Sequence, residues 1–327
     1  MSEIMVTTSE LTSINRRDHM LARLGWDRLG HRVQPGLYRL GDPTPNSHIF
    51  VTSNYSLSFD ALRSALQGMD AYILVLDTKG INVWCAAVKG TFGTEEIIER
   101  IEETRLRELV QQRTIILPQL GAPGVNAHEV RRRSGFKVEY GPVLASDIKG
   151  YMKGHEATTE MRSVRFPLRD RMVLVPVDIV NYWRYLLPAV LLMYILGGVM
   201  GALAVLIITS FGLVLFPMLL PYLPTRQFSS KGLILGIIGG LLLVYLQTWQ
   251  AGLTLNTAGV ITALAEVLLM APPVAYMALN FTGSSPIASR TGVKREIFRY
   301  IPTFAVMLVV GTILTVIVAL IPFGGSL

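Results

Sequence analysis

Ala71-Tyr-Ile-Leu-Val-Leu76-Asp77-Thr-Lys-Gly80-Ile-Asn82-Val-Trp84-Cys85-Ala-Ala-Val88-Lys89-Gly90 decides the fold in its first six residues. An unbroken apolar run of that length, closed by polar residues, suits a strand buried on both faces of a parallel sheet. The rest of the stretch predicts a short helix. Asn82 is a favourable N-cap and Gly90 a favourable residue just past a helix end, with Val83–Lys89 between them. Cys85 then falls in the first turn, where unpaired N–H groups and the helix dipole favour a thiolate. Lys89, four residues on, shares its face.

On either side the pattern alternates. His48–Ser53 reads as a strand and Ser56–Gln67 as a helix. Glu95–Val110 reads as an amphipathic helix with Ile97, Ile98, Ile101, Leu106 and Leu109 on one side. Thr114–Leu117 and Lys137–Tyr140 follow as strands, Asn126–Ser134 and Ala145–Met152 as helices, and Met172–Val175 as a last strand. This alternation predicts an α/β domain with a mainly parallel sheet, which takes ligands at the carboxyl ends of its strands. Two such ends stand out. One is the cysteine stretch. The other is Gly121-Ala-Pro-Gly124-Val-Asn126, which is either an ordinary turn or a cradle of backbone N–H groups for a ligand.

Composition divides the chain. It has 327 residues, 51% of them hydrophobic and 16% charged, with mean hydropathy +0.44. These values exclude a disordered tail, a fibrous repeat and a soluble enzyme of uniform composition. Residues 185–327 hold only six of the 30 Lys and Arg and two of the 23 Asp and Glu. The expected organisation is an N-terminal extension over 1–47, an α/β domain over 48–180 and a helical transmembrane domain over 181–327. The net charge of +7 is not gathered into a basic stripe with interleaved aromatics, which argues against nucleic acid. Met1 to Arg17 is polar, so no secretory leader is expected.

The 41 residues from Tyr185 to Thr225 carry no charge. As one helix they would reach roughly 60 Å, about twice the hydrocarbon core. Two spans joined by a turn near Thr209–Gly212 fit better, and three more follow near 232–250, 257–281 and 300–322. Five spans place Arg226, Lys231, Arg290, Lys294, Arg295 and Arg299 on the same side as the α/β domain. The link at 251–256 and the tail after Pro322 fall on the other. That arrangement obeys the positive-inside rule. It predicts a cytoplasmic-membrane protein with the soluble domain in the cytoplasm and the C-terminus outside. Tyr182, Trp183 and Arg184 would anchor the first span. Glu266 lies within a span, either as part of an ion or substrate path or as a hydrogen-bonded acid at a helix interface. Pro272–Pro273 should break its helix. Gly197 and Gly201 read as a packing pair.

Cys85 is the sole cysteine, which excludes an internal disulfide and a four-cysteine metal or iron–sulfur site within this chain. Three readings remain for it: a small buried hydrophobe, a nucleophile, or a ligand to a metal held by a cofactor. A nucleophile needs a base, and His19, His31, His48, His128 and His155 lie in no recognisable catalytic context.

Asn82-Val83-Trp84-Cys85-Ala86-Ala87-Val88-Lys89 resembles the signature of the HgcA family of mercury-methylating corrinoid proteins, which reads Asn-(Val/Ile)-Trp-Cys-Ala-(Ala/Gly)-Gly-Lys. Seven of its eight positions match, and Val88 stands where that family has Gly. Gly90-Thr-Phe-Gly93-Thr94 and the order of soluble domain then five spans are similar as well. The resemblance implies a cobalamin-type corrinoid held base-off, with the Cys85 thiolate as lower axial ligand to cobalt. Asn82, Val83, Trp84, Ala86, Ala87, Lys89 and Gly90 would pack beneath the ring, and Gly121, Gly124 and Asn126 would be further contacts. Thiolate donation would favour delivery of methyl from methyl–cobalt(III) to Hg(II), forming methylmercury. The implied partners are HgcB, a ferredoxin-like protein with two 4Fe–4S clusters, and a methyltransferase using methylated folate. Two alternatives stay open: a corrinoid methyl carrier of one-carbon metabolism with another acceptor, and a membrane transporter or sensor with a regulatory soluble domain.

Overall fold

The computed structural model describes residues 4–27, 30–251 and 257–320. The chain forms two compact units, 1–165 and 166–327. The boundary therefore precedes the expected 180/181, because the helix leading into the apolar half already begins at Leu168.

The first unit is an α/β domain with a six-stranded sheet. In chain order its elements are β1 (Met5–Thr7), α1 (Ser13–Arg23), β2 (Gly36–Leu40), β3 (His48–Ser53), α2 (Ser56–Ala65), β4 (Ala71–Leu76), α3 (Val83–Lys89), α4 (Thr94–Glu103), α5 (Leu106–Leu109), β5 (Thr114–Leu117), α6 (Ala127–Ser134), β6 (Lys137–Tyr140) and α7 (Ile148–Tyr151). The strand order is β1-β2-β4-β3-β5-β6. β4, β3, β5 and β6 run parallel, and β2 joins β4 antiparallel. Residues 5–7 and 36–40, within the stretch expected to be an extension, thus supply one edge of the sheet.

All six residues of β4 are buried, as its sequence requires. Alternation along the strands sorts the core into two layers. Val51, Leu74, Leu76, Ile115 and Leu117 face Ile97 and Ile101 of α4, Leu106 of α5 and Val130 of α6. Phe50, Ile73, Val75 and Ile116 face Phe59 and Leu62 of α2 and Ile148 and Tyr151 of α7. The chain leaves β3 through α2 to β4 on one side, then returns past β3 to β5 on the other. The strand order reverses between β3 and β5, and such a switch point opens a crevice at the carboxyl ends.

Two expected elements differ. Glu95–Val110 is not one helix: Arg105 adopts φ 50°, in the left-handed region, and separates α4 from α5. Met172–Val175 is not a strand but part of α8 (Leu168–Thr209). A four-residue apolar run alone does not distinguish strand from buried helix.

The second unit is helical. α8 continues through a π-helical stretch, Ser210–Leu215, into α9 (Phe216–Leu219), followed by α10 (Phe228–Ala251), α11 (Thr257–Asn280) and α12 (Arg290–Leu320). Among the described residues four helical stretches are long and apolar enough to cross a membrane, the first being Leu168–Leu219. That first stretch is broken at Gly197–Gly198, where Gly198 takes φ 61° and ψ −151°, a conformation open essentially to glycine alone. The limbs fold back on each other. A Cβ on Gly201 would lie 2.1 Å from the Met193 carbonyl oxygen, whereas eight residues along a straight helix separate atoms by about 12 Å. Further along, Arg171 donates to the carbonyls of Pro217 (2.6 Å) and Met218 (2.9 Å).

The reversal is therefore at Gly197–Gly198 and not at Thr209–Gly212. Gly212 instead packs on Met277, whose sulfur would be 2.5 Å from an added Cβ. α11 runs unbroken through Pro272 and Pro273, contrary to the expected break. Its neighbour α10 presents Gly232, Gly236 and Gly240, at four-residue spacing, to the α11 backbone at Ala275, Ala271 and Val267. Small residues at that spacing let helices approach closely where lipid removes the hydrophobic drive. The link 252–256 and the tail 321–327 lie outside the described residues.

Candidate functional site

Asn54 organises the edge from which the site is built. It follows β3 directly and is 1% exposed. Its Oδ1 accepts from the Thr78 amide (3.1 Å), the Thr78 hydroxyl (2.9 Å) and the Gly80 amide (3.0 Å), while its Nδ2 donates to Asp77 Oδ1 (3.1 Å). One amide side chain thus fixes the turn between β4 and α3. The turn needs it: Lys79 and Gly80 both adopt left-handed φ, 60° and 73°. Asp77 also accepts from the Lys79 amide (3.0 Å) and pairs with the Lys79 ammonium. Burial raises the affinity of the Asp77 carboxyl for its proton, but the bonds from Lys79 and Asn54 outweigh it and hold the group below the usual carboxylate range.

α3 emerges from this turn with the boundaries its sequence predicts. The Asn82 side chain accepts from the Cys85 amide at 2.9 Å, and Gly90 closes the helix at φ 86°. Val83, Ala86 and Ala87 are buried against the sheet. Trp84, Cys85 and Val88 are half-buried on the other face, and Asn82, Lys89 and Gly90 are exposed. The cysteine is therefore not a buried core residue. It sits beside an indole and an isopropyl group on an accessible helical face.

The structure brings the Gly121–Asn126 segment to this helix, though as a support. Gln119–Gly124 is a 3-10 turn after β5. A Cβ on Gly124 would fall 2.2 Å from the Phe92 carbonyl oxygen and 3.0 Å from both Cα and O of Ala87. At Gly121 it would meet the Phe92 ring at 2.5 Å. These glycines are required by the backbone of α3 and by Phe92. Asn126 caps α6 by accepting from the Glu129 amide (3.2 Å), and its own amide donates to Thr94 Oγ1 (2.8 Å).

Sequence reasoning missed three polar groups at the same edge. Among the described residues Ser53 Oγ, Thr91 Oγ1 and Gln119 Oε1 are buried without a hydrogen-bond partner, a costly condition for side-chain oxygens. The β3–β5 register, Ile49 to Ile115 and Phe50 to Ile116, sets Ser53 level with Gln119 when extended to the strand ends. Both follow the strand positions that face α3 and α4. A lone Ser or Gln at a strand end carries no distinguishing pattern; the signal is visible only as register.

Away from this edge, His31 is 6% exposed and gives both ring nitrogens to acceptors: Nδ1 to Asp18 Oδ1 (2.6 Å) and Nε2 to the Trp26 carbonyl (2.5 Å). Burial disfavours the charged imidazole, yet these bonds raise its pKa above the usual histidine value and lower that of Asp18. Asp18 also accepts from Ser56 at 2.5 Å, so the network clasps α1 to the start of α2. In the helical unit, the Oε2 atom of Glu266 is buried without a hydrogen-bond partner among the described residues. Among the described residues no group of three or more His, Cys, Asp or Glu is arranged to hold a metal ion.

A mainly parallel sheet covered by helices on both faces, with a capped cysteine helix at its carboxyl edge, defines the class of this unit as an α/β domain. Within it, residues 27–152 match the family model for the CO dehydrogenase/acetyl-CoA synthase delta subunit. The chain is also 34% identical over 124 residues to the acetyl-CoA decarbonylase/synthase complex subunit gamma of Archaeoglobus fulgidus, covering 37% of this chain and 26% of that subunit. It is 28% identical over 151 residues to the corrinoid/iron-sulfur protein large subunit of Moorella thermoacetica, covering 43% of this chain and 33% of that one. The gamma subunit of Methanopyrus kandleri is 32% identical over 123 residues. The chain thus spans between 26% and 33% of the length of these two relatives from Archaeoglobus and Moorella.

Proposed function

We propose that this chain is a membrane-anchored corrinoid methyl carrier that passes methyl to Hg(II). The observation that carries the corrinoid reading is the placement of Cys85: half-exposed on a capped helix, at the carboxyl edge of a parallel sheet. It lies within residues 27–152, which match the CO dehydrogenase/acetyl-CoA synthase delta subunit model, in a chain similar to a corrinoid/iron-sulfur protein large subunit.

The residues present fit such a group. Cys85 offers a soft donor for cobalt. Trp84 and Val88 offer an apolar floor beside it, and Val83, Ala86 and Ala87 fix that floor to the sheet. The Asn82 cap and Gly90 set the length of the helix, with Lys89 at its exposed end. Ser53, Thr91 and Gln119 offer buried oxygens still lacking partners, suited to the polar side chains and tail of a corrinoid. Gly121, Gly124 and Asn126 act from behind, by letting α3 and α6 sit where they do. When bound, the corrinoid supplies a cobalt centre that carries and releases the methyl group. The chain's own contribution would be to offer the Cys85 thiolate as a donor to the cobalt, with Trp84 and Val88 beside it. The donor strength of a ligand is a main lever on what such a metal does.

With Cys85 used as the ligand, the chain has no cysteine for an iron–sulfur cluster. In this reading electrons come from a ferredoxin-like partner of the HgcB type, and methyl groups from a methyltransferase using methylated folate. The apolar helices anchor the carrier. Counting the hairpin at Gly197–Gly198 as two crossings gives five, with the α/β unit in the cytoplasm and the C-terminus outside.

Val88 favours a second reading. It lies on the accessible face, one turn after Trp84, where the mercury family has no side chain, and two of the named relatives are gamma subunits of acetyl-CoA decarbonylase/synthase complexes. A different one-carbon acceptor then replaces Hg(II). Anaerobic protein loaded with methylated corrinoid and given a thiolate complex of Hg(II) distinguishes the two. The mercury reading expects methylmercury, lost in Cys85→Ala. Consumption of the methyl group by a biological thiol but not by Hg(II) selects the second reading. Failure to bind corrinoid at all overturns both.

A further inference from the structure

The helical unit holds a cavity, lined by basic and apolar residues, that methyl transfer does not use. It measures about 270 Å³ and lies between the first turns of α10 and α12 and the segment that joins α11 to α12. That is near the lower end of pockets that take small ligands, about 300 Å³. Arg226, just before α10, and Arg295, in the second turn of α12, line it together with Gln227, Thr282 and Ser289.

The charge of this lining is unbalanced. Its one acid, Glu296, is 7% exposed and is occupied by the start of α10. Its Oε1 accepts from the Phe228 amide (3.2 Å), and its Oε2 from the Ser229 amide (2.9 Å) and hydroxyl (2.8 Å). A carboxylate at a helix N-terminus is well placed and has little left to offer a guanidinium. Among the described residues neither Arg226 nor Arg295 forms an ion pair with a carboxylate, and neither does Lys294 beside them. Lys294, Arg295, Arg299 and Phe298 line a neighbouring depression. Phe298 is 72% exposed there, and the adjacent Ile297 is 43% exposed on the same helix. Basic groups in a recess thus adjoin exposed apolar side chains at the end of two apolar helices.

We propose that this cavity seats the phosphate of an anionic phospholipid headgroup, with the acyl chains lying along the outward face of α12. The proposal rests on reading α10–α12 as membrane spans. A free phosphate would satisfy the two guanidiniums but gives no role to Phe298 and Ile297. A zwitterionic headgroup brings its own cation toward Arg226 and Arg295 and is disfavoured. Basic pockets between spans on the cytoplasmic side are where anionic headgroups bind.

The test is native mass spectrometry of the full chain, delipidated in mild detergent and offered phosphatidylglycerol and phosphatidylcholine in equal amounts. Phosphatidylglycerol should be retained in preference. Arg226→Ala with Arg295→Ala should weaken that retention about 30-fold, at roughly a factor of five per basic residue near the surface. Arg226→Lys with Arg295→Lys keeps both charges and should retain most of the preference, which separates lost binding from misfolding. Equal retention of the two lipids, or unchanged retention in the alanine pair, overturns the proposal. So does displacement of the lipid by inorganic phosphate alone, which would mark a free-anion site. Failure of the membrane reading is distinguishable: the chain would then leave membranes on alkaline carbonate washing, before any lipid is offered.

Discussion

α3 and the turn at Gln119–Gly124 both looked like ligand-binding segments, and the structure places them against each other in opposite roles. α3 turns Trp84, Cys85 and Val88 outward and buries only its small residues, Ala86 and Ala87, with Val83. The turn spends its glycines inward, with Gly124 against the backbone of Ala87 and Phe92. A glycine at the carboxyl edge of a parallel sheet therefore has two meanings. It leaves the edge open, or it leaves room for a neighbouring backbone. Here it is the second.

That contrast predicts a ranking of mutational effects. Cys85→Ala removes the one soft donor and should lower methyl transfer by more than about 100-fold, the upper range for losses in the shell around a metal. The fold should survive, because the side chain is only half-buried. Anaerobic transfer assays alongside thermal melts check both parts; parallel losses of activity and stability would erase the distinction between the segments. Gly124→Ala should do the opposite. Its Cβ meets backbone atoms at 2.2 and 3.0 Å, so the variant should lose about 2–3 kcal/mol of stability, as overpacked cores do. Corrinoid affinity measured well below the melting temperature should fall less than stability does.

Val88→Gly tests the outward face alone. Its helix-propensity cost is under about 0.5 kcal/mol. If mercury is the acceptor, methylmercury formation should rise by about tenfold, the scale on which one or two methyl groups discriminate in a pocket. Asn126→Ala removes the α6 cap and should cost about 1 kcal/mol in a denaturant titration, with no change in the spectrum of bound corrinoid.

The smallest effect is the pH dependence of the clasp on α1. The raised pKa of His31 means that its stabilisation is complete below the ordinary histidine value, about 6.5, and is lost as pH rises through the higher folded value. The lowered pKa of Asp18 means that its contribution is present above about 3.8 and is lost as pH falls through the lower folded value. The clasp is therefore strongest between about pH 4 and 6.5. Asp18→Asn should flatten the fall in melting temperature as pH rises above about 6.5, relative to the parent chain.

Most of the α/β unit was legible because its signals are local. Ala71–Leu76 is too apolar for anything but a buried strand, and Asn82 with Gly90 brackets α3 to the residue. The first 47 residues were opaque because β1 and β2 are edge strands, short and half-polar, whose identity comes from pairing partners far along the chain. Asn54 and the Ser53–Gln119 pair were invisible for the same reason. In the helical unit the apolar content was plain, but the position of the reversal was not. Gly197-Gly198 and Ser210-Phe-Gly212 are equally permissive as sequence; the backbone angles of Gly198, the approach of Gly201 to Met193 and the packing of Gly212 on Met277 separate them. Pro272 and Pro273 were read as a break because proline removes a helical hydrogen bond. The close approach of the α10 glycines to α11 accompanies an unbroken helix across them.

The central claim is that Cys85 binds cobalt. The direct measurement is the visible absorption spectrum of the anaerobic full-length chain reconstituted with a cobalamin-type corrinoid, compared with that of Cys85→Ala. The account predicts a coloured protein with a base-off, thiolate-dependent spectrum whose bands shift on removal of the sulfur. A chain that stays colourless, or two spectra that superimpose, would contradict it.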